Sequence, residues 1–75
     1  MKLADIPLAE EHVVHRRELT DRIRALEGGR ITISISGSYQ DEVMVQAIIP
    51  AAVAELRRRL RHIDEQLREL GVEID

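Results

Sequence analysis

From Val53 to Leu70 the chain repeats one instruction. Val53, Leu56, Leu60, Ile63, Leu67 and Leu70 follow at spacings of 3, 4, 3, 4 and 3. That is the pattern that gathers one apolar stripe on one side of an α-helix. A stripe of that length needs a second surface of similar length to cover it, and the rest of the chain must supply one. Seventy-five residues make a single domain, 1–75. So short a chain buries only about 60% of its unfolded surface. With no cysteine, neither a disulfide nor a thiolate-bound zinc ion reinforces it. Regular packing or a partner subunit has to.

The spacing predicts a second helix that covers the stripe, over about residues 6–27. Asp5 is placed to cap it and Pro7 suits its first turn. Leu8, Leu19, Ile23 and Leu26 return to one side at helical spacing. Glu18 with Arg22, and Arg17 with Asp21, are i,i+4 pairs that support it. Gly28-Gly29 ends it, and Gly71 ends the later helix. Pro50 marks the start of that later helix, about 50–70.

Between the helices the period changes from 3.6 to 2. In residues 31–36 Ile31, Ile33 and Ile35 alternate with Thr32, Ser34 and Ser36, which predicts a strand. Residues 37–41, "GSYQD", are turn material, and 42–48, "EVMVQAI", are expected to return as the second strand of a hairpin spanning about 30–48. In that register Ile35 meets Val43, Ile33 meets Val45 and Ile31 meets Ala47. The polar face then pairs Thr32 with Gln46, Ser34 with Met44 and Ser36 with Glu42. The alternating "VEID" at 72–75 offers a short third strand. The expected fold class is α+β: two antiparallel helices packed on a two-stranded hairpin.

Catalytic chemistry finds no support in the residues. The hydroxyls of Thr32, Ser34, Ser36 and Ser38 have no neighbouring histidine and no nucleophile elbow. His12 and His15 share a helix side with Glu11 and Glu18 nearby, but a metal site needs three or four convergent ligands. No metal, cofactor or enzymatic activity is expected. No apolar run approaches the roughly 18 residues of a membrane span, and the N-terminus lacks the apolar stretch of a signal peptide. A cytoplasmic protein without membrane contact is the expectation.

Surfaces are more informative. "LRRRLRH", 56–62, is the one basic run, and Arg57, Arg58, Arg61 and Arg68 are its candidates for phosphate or nucleic acid. A net charge of −3 opposes that, as does the lack of aromatics beyond Tyr39. The bland alternative is a charge-laced helix surface, with Glu55–Arg59, Arg61–Glu65 and Asp64–Arg68 as its pairs. Tyr39 stands at the hairpin tip, and tyrosine brings area and a hydroxyl to binding sites at low entropic cost. Tyr39, Gln40 and Asp41 at the tip, with Thr32, Ser34 and Gln46 on the polar face, are the candidate partner contacts. Val13, Val14, Ile48, Ile49, Val72 and Ile74 fall outside the intrachain scheme, and apolar residues left over on that scale point to a homodimer.

The layout resembles the small phage head-to-tail joining proteins of the lambda W type. The residues that carry the likeness are a helix ending "ALEGG", a hairpin, and then "PAAVAELRRRLRHI", within roughly residues 17–65. It implies a helix–hairpin–helix fold and a role in virion assembly. The turn and the second helix are longer here, and the basic tail expected of a protein that contacts packaged DNA does not follow. The function these observations favour is a non-enzymatic protein-interaction module, phage-encoded if the likeness holds and then located in the virion. It would assemble virions or inhibit a host protein. A nucleic-acid-binding regulator is the alternative.

Overall fold

The computed structural model describes residues 2–74. A 3-10 turn, Leu3–Asp5, leads into helix α1, Ile6–Glu27; strands β1, Ser34–Ile35, and β2, Ser38–Tyr39, follow; helix α2 is Glu42–Glu69. The helices pack against each other and the strands form an antiparallel hairpin between them, so the expected α+β helix–hairpin–helix architecture stands. Its proportions differ from expectation: the strands are short and α2 is long.

α1 starts and stops where the spacing predicts. Pro7 sits in its first turn, where a missing N–H costs nothing. Asp5 does not cap it, because its own backbone is already helical; its carboxylate accepts instead from the Lys2 backbone N–H at 3.2 Å. Leu19 and Ile23 are buried and Leu26 half-buried, whereas Leu8 is exposed and Ala9 takes the inner position. Leu8 has the same azimuth as Leu19, but it lies on the turn of α1 that reaches past the end of α2. The pairs Glu18–Arg22 and Arg17–Asp21 do not close among the described residues; α1 is joined to α2 instead by Arg16 Nε, which donates to Asp64 Oδ1 at 2.7 Å.

The hairpin turns earlier than its sequence suggests. Ser36 and Gly37 both have positive φ, 51° and 79°, the combination of a two-residue type I′ turn. Glycine removes the steric cost at the second of these positions. Ser34 therefore pairs with Tyr39 and Ile35 with Ser38, and the Gln40 N–H donates to the Ile33 carbonyl at 2.8 Å. The return strand is over by Tyr39.

Residues 42–48 are consequently not a strand. Asp41 has extended backbone (φ −72°, ψ 170°), and its Oδ1 accepts from the Met44 N–H at 2.9 Å. That is N-cap geometry, and it starts α2 eight residues before Pro50. Pro50 sits inside the helix, where its missing N–H removes one rung to the Gln46 carbonyl. The register that paired Ile35 with Val43, Ile33 with Val45, Ile31 with Ala47, and Thr32, Ser34 and Ser36 with Gln46, Met44 and Glu42 is thereby overturned. As helix, the same stretch turns Val45 into the interior and leaves Ile48 and Ile49 half-buried.

α2 ends in a Schellman motif. Gly71 has φ 84°, the Val72 N–H donates to the Leu67 carbonyl at 2.9 Å and the Gly71 N–H to Arg68 at 2.9 Å. This reversal sends residues 72–74 back over the helices rather than out as a third strand. Asp75 lies outside the described residues. Val72 and Ile74 pack, with Leu56, Leu60 and Leu70, against a buried cluster of Ala9, Leu19, Ile63 and Leu67. Both are half-buried, so part of the apolar surface assigned to a dimer contact is already used within the monomer.

Because Asp41 supplies the cap, Asp41→Ala is expected to lower the unfolding free energy by about 1 kcal/mol while Asp41→Asn retains most of it. Leu67→Ala, which hollows the centre of the cluster, should cost about 2–5 kcal/mol. Urea unfolding followed by circular dichroism checks both.

Candidate interaction surfaces

At 1.5 Å per residue, the 22 residues of α1 span about 33 Å and the 28 of α2 about 42 Å. The molecule measures 49 × 23 × 15 Å. The Arg16–Asp64 pair and a second ion pair, Glu27 with Arg57, fix the antiparallel alignment: the end of α1 lies beside the middle of α2. The first turns of α2 therefore extend past α1, accompanied only by the loop and hairpin. Ile31 and Ile33, both half-buried, line a hollow with Ala25, Leu26, Ala52 and Leu56. They are the part of the predicted strand that does face the core.

At this overhanging end the side chains point outward. Tyr39 is 78% exposed and Val43 81% exposed, and Ile35 and Met44 are exposed with them. The candidate contacts predicted here divide. Thr32 and Ser34 are exposed. Gln40 is half-buried and donates from Nε2 to the Ser38 carbonyl at 3.0 Å, and Asp41 is committed to the helix cap. Gln46 is exposed on α2 near Gly29, not on a strand face beside Thr32. Ile35, Val43 and Met44 were missed. The signal for Val43 and Met44 was Asp41 itself, which as an N-cap places both in the first helical turn instead of on opposite faces of a strand.

The arginines of α2 are largely answered by carboxylates. Arg57 is paired with Glu27. Arg58 donates to both oxygens of Glu55, at 2.8 and 2.7 Å, and Arg59 joins at 3.2 Å. Hydrogen bonds from Arg58 and then Arg59 pull the Glu55 carboxyl from its usual 4.5 down to about 2. The expected Glu55–Arg59 pair is present. Asp64 turns to Arg16 rather than Arg68, and Arg61–Glu65 does not close among the described residues. Arg61 and Arg68 remain exposed. Thus two of the four proposed phosphate anchors, Arg57 and Arg58, are already paired with carboxylates.

α1 carries two further grooves near its N-terminal end. Leu8, Glu11, His12, His15, Glu18 and Ile63 are among the residues lining one of about 440 Å³. No group of three or more His, Asp or Glu side chains among the described residues is placed to hold a metal ion. The neighbouring groove, about 420 Å³, is lined by Ile6, Ala9, Glu10, Val13 and Val14 and is mostly apolar. Of the residues assigned to a dimer surface, Val13 (40%) and Val14 (55%) are exposed, while Ile48 and Ile49 are half-buried on α2. No described helix is long and apolar enough to cross a membrane. Comparison of the chain with protein-family models, with curated proteins and with solved structures finds no match.

A depressed carboxyl pKa stabilises the folded state above the unfolded value and loses that contribution as pH falls through the folded one. For Glu55 the window runs from 4.5 down to about 2. An NMR titration should place its midpoint near 2, and Arg58→Ala with Arg59→Ala should return it toward 4.5. The matching change in stability will be small, because the cluster stands in water.

Proposed function

We propose that this chain is a non-enzymatic protein-interaction module that self-associates and captures a protein partner with its hairpin end. The observation that carries the reading is surface area. The chain exposes 5828 Å², whereas a compact monomer of 8.6 kDa exposes about 4,700 Å². The excess, on the order of 1,100 Å², is similar to the roughly 800 Å² that each partner gives to a standard interface. Part of it is large and apolar at the hairpin end, where Tyr39, Val43 and Met44 offer the aromatic and thioether contacts favoured in binding sites. The likeness to small phage joining proteins extends the proposal to a phage-encoded chain that acts in virion assembly or by occluding a host protein. A nucleic-acid role is not favoured, since Arg57 and Arg58 already face Glu27 and Glu55.

Tyr39→Ala should leave the melting temperature nearly unchanged, because the ring is in solvent, yet abolish or strongly weaken partner capture from the native host. Glu65→Ala, exposed on α2 away from the hairpin, serves as the control. Equal capture by Tyr39→Ala and the parent chain, or a large loss of stability in Tyr39→Ala, would refute the assignment of the tip. Sedimentation of the parent chain tests self-association separately.

A further inference from the structure

The outer side of α1 is complementary to itself. Residues 10–17 read Glu-Glu-His-Val-Val-His-Arg-Arg, so acid answers base about the midpoint between Val13 and Val14, and histidine answers histidine. Of these residues, Glu10, Val13, Val14 and Arg17 fall at i, i+3, i+4 and i+7 and share one helix face. All four are exposed, and neither Glu10 nor Arg17 has an ion-pair partner among the described residues. Glu11 and Arg16 lie about 110° round the helix from the centre of this face, and Arg16 is already held by Asp64, so the other residues of the palindrome belong to neighbouring faces.

We infer that a second copy of this chain docks here, α1 against α1, antiparallel about a two-fold axis between Val13 and Val14. An isologous contact requires that residue i meet j and j meet i. About this axis Glu10 of each copy meets Arg17 of the partner subunit, and Val13 meets Val14 of the partner subunit. The groove lined by Ile6, Ala9, Glu10, Val13 and Val14 receives the opposing valine. Ile6, also exposed and lining that groove, extends the apolar margin of the same face. A parallel arrangement would set Glu10 against Glu10 and Arg17 against Arg17, and like-charge contacts disfavour it. The antiparallel arrangement also sends the two hairpin ends in opposite directions, so a dimer presents Tyr39 twice and both tips stay open to a partner.

This arrangement rests on the self-association proposed above, and a charge exchange separates the two ideas. Glu10→Arg alone and Arg17→Glu alone should each weaken self-association at low ionic strength at least tenfold, since each dimer then holds two like-charge contacts. An equimolar mixture of the two variants should recover association, because every contact across a mixed pair is again acid against base. The double variant Glu10→Arg/Arg17→Glu should recover it as well. Sedimentation equilibrium reads the constants, and far-UV circular dichroism confirms unchanged helicity. As a check that needs no charge change, a short thiol cross-linker should join Val14→Cys to itself but not Val43→Cys, in a chain with no other cysteine. If the parent chain is a monomer at about 100 μM, a weak affinity by any standard, both self-association and this contact are wrong. If the parent chain dimerises but the single variants dimerise equally well, or the mixture stays dissociated, self-association stands and this face is wrong.

Discussion

Everything in this molecule hangs on the seam between α1 and α2. Leu19 and Leu67, each 1% exposed, lie in a cluster completed by Ala9 and Ile63, and a rim of half-buried Leu, Val and Ile closes around it. That is a thin core. Two helices have only one face each to hide, and without a third layer the remaining faces stay in water. Arg16–Asp64 contributes alignment more than energy: an ion pair at a partly wet seam is worth little in stability, but it resists sliding of one helix along the other.

The unequal lengths of the helices follow from the same seam. Where α2 outruns α1, the chain between them has to supply the cover. It does so with Ile31 and Ile33, and it spends Ile35, Tyr39, Val43 and Met44 on solvent. At the opposite end α1 outruns α2, the Schellman turn returns Val72 and Ile74 over the core, and Leu8 stays uncovered. The exposed apolar residues are therefore concentrated toward the two ends and on the valine face of α1, as expected of a two-layer rod whose layers do not coincide.

The elements were legible wherever one local rule acted unopposed. α1 and its glycine stop, the stripe from Val53 to Leu70, and the antiparallel return all follow from spacing and from residues that end helices. The stretch 42–48 was ambiguous because it satisfies two periods at once. Val43, Val45 and Ala47 alternate as in a strand, whereas Val45, Ile48, Ile49 and Ala52 recur as in a helix. Pro50 favours the strand on local grounds, since it is a poor residue for a helix interior. One lost rung costs less, however, than the cap from Asp41 and a stripe continued inward to Val45 contribute. Tyr39 is exposed, but the tip itself is Ser36-Gly37, and Tyr39 sits opposite Ser34 at the other end of the short ladder. Gln40 and Asp41 each bind the backbone through a polar group, which side-chain type alone does not disclose.

By itself, the sequence determined that this chain makes two rods that return on each other, because heptad spacing and glycine stops act within a few residues. It also determined that little but aliphatic surface holds the rods together. Only the tertiary structure decided which aliphatic residues stay outside. Val72 and Ile74 are as apolar as Val13 and Val14, yet a left-handed glycine folds the first pair against the core while the second pair stays exposed on α1. Burial is a property of where neighbours lie, and neighbours distant along the chain are set by packing rather than by local pattern.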